Sequence, residues 1–185
     1  ISIDSSKKEV RLDNRTRVFY DNLLIATGAR ARSLDCVDHD ALEFVSTLRT
    51  IKDAEKIKKA GETAKEMVFL GAGLVCLQTI KALLGKGIKM TAVVGSNQVL
   101  SQQMDSESAY MLQEKLEKAG VTILFGRRVE KVVKDKDRAC VFTSFGERLP
   151  ADMVIIGKGV IPNIELARNT EISINKGIIV DNRMQ

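Results

Sequence analysis

The fold is decided by the stretch Met67-Val68-Phe69-Leu70-Gly71-Ala72-Gly73, in which an apolar run leads directly into two glycines. Such a run is typical of a strand buried on both faces of a sheet. Apolar residues then recur at helical spacing, at Leu77, Ile80, Leu83 and Leu84. This spacing predicts a helix over residues 74–86, and the apolar run 90–94 predicts the next strand. Strand, glycine turn, helix and strand in this order predict a βαβ unit with parallel strands.

Helix signals on either side of this unit extend the same alternation. Thr50 and Asp53 have the spacing of a capping box, which predicts a helix that begins after Thr50 and ends at Gly61. Asp105 is a candidate N-cap and predicts a second helix, and Gly120 lies just past the predicted end of that helix. The apolar run 121–125 follows that glycine and predicts the next strand, so strands and helices alternate through the middle of the chain.

Strand signals alone occupy the remaining segments. Residues 129–133 and 139–145 flank a polar turn, and residues 152–156 predict a last buried strand. Residues 2–25 have the short alternating runs of strands, and the run 23–26 is typical of a strand buried on both faces. The predicted fold class is α/β: a Rossmann-type parallel sheet with an antiparallel β-meander, plus β-rich flanks.

Composition and charge argue against several classes of partner. The net charge is +5, but Lys and Arg are interspersed with Asp and Glu, which is typical of a solvated face and not of a nucleic-acid interface. No apolar run approaches the roughly 20 residues of a membrane span. Cys36, Cys76 and Cys140 form no C-x-x-C pair, so we expect reduced thiols in a cytoplasmic protein. His39 is the only histidine, which excludes a multi-histidine metal site, and no catalytic side chain is evident.

The glycine turn is the candidate binding site. In a strand–turn–helix context, the first glycine makes the tight turn and the second lets a phosphate approach the backbone. The start of the following helix offers unpaired N–H groups and the positive end of a dipole. We therefore expect a small-molecule nucleotide whose phosphates are bound by backbone groups of Gly71, Ala72, Gly73, Leu74 and Val75.

Two residues depart from the usual dinucleotide pattern. Cys76 stands where a third Gly or Ala normally allows close packing of helix and strand, so its sulfur is expected to crowd that contact. Val94 ends the second strand, where an acidic side chain usually accepts hydrogen bonds from the adenosine ribose. The loop thus suits a pyrophosphate better than a ribose.

Five segments together resemble the pyridine nucleotide-disulfide oxidoreductase superfamily, which includes NADH oxidases, rubredoxin reductases and the flavoprotein part of nitrite reductases. They are YDNLLIATG at 20–28, LRTIKDA at 48–54, VFLGAG at 68–73, GVIPN at 159–163 and GIIVD at 177–181. The resemblance covers almost the whole chain. Gln78 stands where the family prefers Glu, and Ile161 where Arg is usual.

The resemblance implies a function and a division into domains. Residues 39–157 would be the NAD(P)-binding domain, and residues 1–38 and 158–185 would be two pieces of a discontinuous FAD domain. In the full-length enzyme, NAD(P)H would pass hydride to FAD, and FAD would pass electrons to a further acceptor such as a redox partner protein. The family's first glycine-rich motif and its flavin-contacting Gly-Asp motif do not occur in this sequence, so we expect an internal piece of a longer protein.

The resemblance also assigns residues to the flavin side. Ala26, Thr27 and Gly28 would border the flavin, and Gly159 would border the interdomain cleft. The flanks carry apolar residues that we expect to be covered by pairing of the flanks with each other and by formation of a homodimer; these residues are Leu23, Leu24, Ile25, Ile178 and Ile179.

Two other functions remain open at the level of sequence. The chain could belong to a non-catalytic interaction or structural protein that kept the fold and lost nucleotide binding, a reading that Val94, Cys76 and Gln78 favour. An ordinary NAD dehydrogenase with a substrate domain is a third reading. No acid–base residue accompanies the glycine motif, which argues against that third reading.

Overall fold

A computed structural model describes all of residues 1–185, which form two compact units. One unit is continuous and comprises residues 31–159, whereas the other combines residues 1–30 with residues 160–185. The strands in chain order are β1 (Ser2–Asp4), β2 (Glu9–Arg11), β3 (Arg17–Phe19), β4 (Ala29–Ala31), β5 (Val45–Ser46), β6 (Glu66–Leu70), β7 (Lys89–Val94), β8 (Val121–Phe125), β9 (Val129–Asp135), β10 (Arg138–Thr143), β11 (Arg148–Ala151), β12 (Met153–Ile156) and β13 (Val160–Pro162). The helices are α1 (Ile51–Thr63), α2 (Leu74–Leu83) and α3 (Ser106–Lys118), and a 3₁₀ helix covers His39–Phe44.

A parallel sheet with the order β5-β12-β6-β7-β8 is the centre of the unit formed by residues 31–159. Alternate residues of each strand point to opposite faces of this sheet. Met67 and Phe69 of β6 pack in a core with apolar residues of α1, α2 and α3. Val68 and Leu70 pack in a second core with residues of β9, β10 and β11. Because both faces are covered, the central strands β6, β7 and β12 consist mainly of buried apolar residues, as the sequence predicted.

The antiparallel sheet β11-β10-β9 covers the second face of the parallel sheet. Its first turn lies between β9 and β10, where Lys136 has a φ of 57°. The predicted fold class, a Rossmann-type parallel sheet with an antiparallel meander, is confirmed.

The predicted helix starts are confirmed in detail, but two predicted ends are wrong. The helix predicted over residues 74–86 ends at Leu83. The Thr50 hydroxyl accepts from the Asp53 N–H, and the Asp53 carboxylate accepts from the Thr50 N–H at 2.9 Å. Gly61 does not end α1, which continues to Thr63. A Cβ atom at Gly61 would lie 2.7 Å from Leu83 Cδ2, so this glycine permits the close packing of α1 on α2.

The predicted buried strand at residues 23–26 is also wrong. These residues pair with no strand, and β4 begins only at Ala29. The Leu24 side chain is 87% exposed, and Leu23 is exposed as well. A strand buried on both faces requires neighbours along its edges and layers above and below it, and the chain offers this segment neither.

The unit formed by residues 1–30 and 160–185 is built of short strands. An antiparallel sheet β1-β2-β3 lies near the start of the chain, and β4 pairs with β13. The expectation that the two flanks pair with each other is therefore confirmed for β4 and β13. Ile179 nevertheless remains 55% exposed, so this pairing does not cover all of the apolar residues.

Candidate functional site

The candidate site lies at the carboxyl edge of the parallel sheet, where the chain reverses its direction of winding. From β6 the chain crosses through α2 to β7 on one side, whereas β12 lies on the other side of β6. Ligands of open α/β sheets bind in the crevice outside such a switch point. Gly71 directly follows β6 and Gly157 directly follows β12, so two glycines meet at this edge.

A cleft of about 450 Å³ opens at this edge. It is lined by the glycine turn, by the loop after β7 and by the end of β12, and its lining residues are Gly71, Ala72, Gly73, Leu74, Val75, Val94, Gly95, Ser96, Gln98, Leu100, Ser101, Gln102, Gln103, Gly157, Lys158 and Gly159. The five residues predicted to contact phosphate all line this cleft, and Gly159 lines it too. The structure thus brings six of the nine predicted site residues together.

Gly71 is required by both the shape and the conformation of the turn. Its φ is +118°, a region that side-chain-bearing residues rarely adopt. A Cβ atom there would lie 2.8 Å from the carbonyl oxygen of Gly157. The Gly71 N–H donates to the Val93 oxygen at 2.9 Å, which fixes the turn to β7.

The start of α2 is left open, unlike the starts of the other two α-helices. The N-terminus of α1 is capped by Thr50, and the Asp105 carboxylate accepts from the Ser108 N–H at 2.8 Å in α3. Gly73 caps α2 without any side-chain hydrogen bond, and no acidic residue lies in its first turn. The first N–H groups of a helix have no intrahelical acceptor, so those of Leu74 and Val75 remain available to an anion.

The expected crowding by Cys76 does not occur. The Cys76 side chain is fully buried, and its sulfur occupies the space that a side chain at position 157 would take. A Cβ atom on Gly157 would lie 2.2 Å from Cys76 Sγ. Gly157 directly follows β12 and has no side chain, so it leaves room for the Cys76 sulfur. Cys76 stands where the motif usually has its third glycine. Burial raises the pKa of the Cys76 thiol to about 12, so this sulfur is not poised as a nucleophile.

The end of the cleft next to Val94, where the sequence predicts the adenosine ribose, has no carboxylate. Val94 is only 3% exposed and belongs to the core beneath the helices. Two neutral polar groups of the following loop are already engaged within it: Ser96 Oγ donates to the Gln98 oxygen at 2.8 Å, and Gln98 Nε2 donates to the Met104 oxygen at 3.0 Å. The Leu100 N–H donates to the Ala72 oxygen at 3.0 Å, which ties this loop to the glycine turn.

The predicted flavin-side residues lie in the other compact unit and do not line this cleft. Thr27 Oγ1 donates to the Asn163 oxygen at 2.5 Å, and Asn163 Nδ2 donates back to the Thr27 oxygen at 2.9 Å. The Asn163 N–H also donates to the Gly28 oxygen at 2.9 Å. These bonds join the end of segment 20–28, with Ala26, Thr27 and Gly28, to segment 159–163.

Sequence reasoning missed Gly157 and Lys158 as lining residues. The sequence did contain a relevant signal, because both residues directly follow the predicted strand 152–156. If that strand lies beside β6 in a parallel sheet, both residues must lie at the same sheet edge as Gly71. The order of parallel strands was not known from the sequence. Gln78, in turn, does not line the cleft: it lies in a crevice between α1 and α2.

Comparison with known proteins agrees with this geometry. The family model described as pyridine nucleotide-disulphide oxidoreductase matches residues 1–185. The chain belongs to this family. The resemblance drawn from the five sequence segments is thereby confirmed.

Individual relatives are longer than the chain. It is 29% identical over 187 residues to a rubredoxin-NAD(+) reductase of Pseudomonas putida, covering all of this chain and 48% of that protein. It is 30% identical over 185 residues to a nitrite reductase [NAD(P)H] of Bacillus subtilis, covering all of this chain and 23% of that protein. The reductase in a covalent putidaredoxin reductase–putidaredoxin complex is 28% identical with a TM-score of 0.93, and the match covers 100% of this chain and 46% of that one. The chain thus spans half or less of these relatives' length.

The fit between Cys76 and Gly157 can be tested by a double-mutant cycle. We expect Gly157→Ala to lower the free energy of unfolding by about 1–3 kcal/mol, the usual cost of overpacking a filled site. In a Cys76→Ala background the cost should shrink, because Cys76 Cβ lies 3.5 Å from the added atom, an ordinary contact. Urea unfolding of the four proteins measures the coupling.

Gly95→Ala is the matched control, since Gly95 lines the same cleft and its added Cβ would meet only the Arg127 oxygen, at 3.8 Å. This substitution should leave stability nearly unchanged. An equal cost of Gly157→Ala with and without the sulfur would show that Cys76 does not fill this space.

Proposed function

We propose that the chain is the NAD(P)H-binding part of a flavin-dependent oxidoreductase, in which NAD(P)H gives hydride to FAD and the electrons pass to a further acceptor. The observation that carries this proposal is the uncapped start of α2 beside a glycine turn, at the switch point of the sheet. The names of the reported relatives, which are reductases of NAD(+) or NAD(P)H systems, support it.

The chain's own groups act by holding and orienting the dinucleotide. The backbone at Gly71, Ala72, Gly73, Leu74 and Val75 is proposed to bind its phosphates. The Gly71 N–H is engaged by the Val93 oxygen and shapes the turn, whereas the N–H groups of Leu74 and Val75 have no side-chain competitor. The Leu74 and Val75 side chains are 54% and 40% exposed, so they offer an apolar surface at the same place. No side chain of the cleft is assigned a proton-transfer step.

FAD, when bound, accepts the hydride, since redox chemistry of this kind belongs to the cofactors. The corner that joins Thr27 to Asn163 fits a border of the flavin, because Gly28 has a φ of +65° and no side chain projects from it. Ala26, Thr27 and Gly28 are proposed to contact the flavin there. Gly159 is proposed to border the cleft in which hydride is transferred.

The domain division follows the same proposal. Residues 39–157 are proposed as the NAD(P)-binding domain, and residues 1–38 and 158–185 as pieces of the FAD domain. Support comes from the compact unit that combines the two ends of the chain. A redox partner protein is proposed as the acceptor, by analogy with the reductase that is similar to this chain and is complexed with putidaredoxin.

Assembly and location are likewise proposals. The exposed apolar residues of the flanks, Leu24 and Ile179 among them, support a homodimer or a further part of the flavin domain as their cover. All three cysteines are free, which supports a reducing compartment such as the cytoplasm. None of the helices has the length and apolar character that crossing a membrane requires.

The alternative of a non-catalytic protein that lost nucleotide binding is not favoured by any of the reported relatives. Two of its three supports are removed by the structure, since Cys76 is accommodated by Gly157 and Gln78 lies outside the cleft. The third support, Val94, remains, and we expect it to lower the affinity for the nucleotide without abolishing binding.

The proposed function predicts the optical behaviour of the protein in its full natural length. We expect it to be purified yellow, with the absorption bands of bound flavin, and to be bleached by NADH or NADPH under anaerobic conditions. Stopped-flow absorbance at the flavin band measures this reduction. A colourless protein, or a yellow one that neither nucleotide bleaches, would contradict the proposed reaction.

Val94 predicts that the 185-residue chain binds NADH weakly and that Val94→Glu strengthens binding. A hydrogen bond to a charged group is worth about 1.5–3 kcal/mol, so the gain for NADH should be roughly tenfold or more. NADPH should gain less, because the new carboxylate repels its 2′-phosphate. Titration calorimetry with both nucleotides measures the two affinities.

Val94→Gln is the matched control, since it has the size of Glu without the charge and should not separate the two nucleotides. Tight binding of NADH by the unmodified chain would show that no ribose acid is needed. Equal gains for NADH and NADPH on introducing the glutamate would show that position 94 does not face the ribose.

A further inference from the structure

Lys158 carries the only charge among the residues that line the nucleotide cleft. The other lining residues are glycine, apolar residues, serine and glutamine, so nothing in the lining neutralises this ammonium. Lys158 is half-buried, and its side chain makes no ion pair or hydrogen bond to another residue of the chain. A cation in a partly closed cleft whose lining holds no acidic residue is a binding feature for an anion.

The position of Lys158 directs its charge to one part of the cleft. The residue directly follows Gly157 at the end of β12, beside the carboxyl end of β6. Its Cδ atom lies 3.9 Å from the place that a Cβ atom on Gly71 would occupy. The lysine stem therefore lies beside the first glycine of the turn.

The charge of Lys158 also acts on the first turn of α2. Burial raises the pKa of the Cys76 thiol, and the positive charge of Lys158 acts on the same thiol in the opposite direction. Cys76 is the third residue of α2, so the ammonium lies close enough to influence the region where the helix presents its open N–H groups. The cation and the helix N-terminus thus lie at the same part of the cleft, next to the glycine turn.

We propose that Lys158 binds the diphosphate bridge of the pyridine dinucleotide and supplies the charge-assisted contact that the ribose end lacks. This inference rests on the proposed function, because it names a residue of the same site. It predicts that affinity in this chain depends on the phosphate end, and that NADH and NADPH benefit equally. An ammonium is a point charge that a flexible stem can place between the two phosphates.

The test is titration calorimetry of the 185-residue chain and its Lys158→Met variant with NADH, NADPH and ADP-ribose. ADP-ribose keeps the diphosphate without the nicotinamide. We expect Lys158→Met to weaken all three by a similar factor of about ten, the lower end for a hydrogen bond to a charged group. Lys158→Arg should bind nearly as well as the unmodified chain, and added salt should weaken the unmodified chain more than Lys158→Met.

Lys81→Met is the matched control, because Lys81 is an exposed lysine in the last turn of α2 and does not line the cleft. It removes the same charge from the chain and should leave all three affinities unchanged. Circular dichroism of each variant checks that the fold is retained, and Lys158→Gln replaces Lys158→Met if the latter does not fold.

Several outcomes would overturn this inference. Unchanged affinities in Lys158→Met would remove the lysine from the site while leaving the proposed function intact. If Lys158→Met lowers the affinity for NADPH alone, the lysine contacts the 2′-phosphate and not the diphosphate. If Lys81→Met lowers the three affinities by the same factor, the effect comes from the net charge of the chain. If the unmodified chain binds none of the three ligands, the proposed function fails, and the role of Lys158 fails with it.

Discussion

The backbone at Gly71 lies so close to Gly157, and Gly157 so close to the Cys76 sulfur, that a side chain at either glycine would force a neighbouring group to move. A Cβ atom on Gly71 would meet the Gly157 oxygen at 2.8 Å, and one on Gly157 would meet the Cys76 sulfur at 2.2 Å. The Gly157 N–H donates to the Leu70 oxygen at 3.1 Å, so the contact continues the pairing of β12 with β6. The cleft, the open end of α2 and the placement of Lys158 all depend on this approach.

The proposed site separates two ways of binding a dinucleotide. Backbone N–H groups and the helix dipole would bind the phosphates, and these donors persist whatever the nearby side chains are. The ribose end depends on a side chain, and there the chain has Val94, which belongs to the core. Such a site would bind the same class of ligand with lower affinity and with less discrimination against a 2′-phosphate. Val94 alone therefore does not argue for loss of function.

The sequence predicted those parts of the fold that local chemistry determines. The capping pair Thr50 and Asp53, the N-cap Asp105 and the strand at 121–125 were located correctly because each signal lies within one turn or one strand. Gly61 was misjudged as a helix end because its reason is a tertiary contact with Leu83. Segment 23–26 was misjudged because its apolar run carries no information on whether partner strands exist.

The candidate site divides in the same way. Gly71, Ala72 and Gly73 could be identified from their spacing, since the βαβ context gives the motif its meaning. Gly157 and Lys158 could not, because their place in the cleft follows from the position of β12 beside β6. Gly157 leaves the space that the Cys76 sulfur fills, although the two residues are far apart in sequence. This fit follows from the pairing of β12 with β6, which the sequence does not specify.

The most direct test of the nucleotide cleft is a map of backbone amide shifts in ¹⁵N NMR spectra of the chain during titration with NADH, a measurement that detects weak binding. We expect the largest changes at the residues of the glycine turn and the first turn of α2, from Gly71 to Val75, and at Gly157–Gly159. Saturating changes confined to other surfaces, or no changes at any NADH concentration, would contradict it.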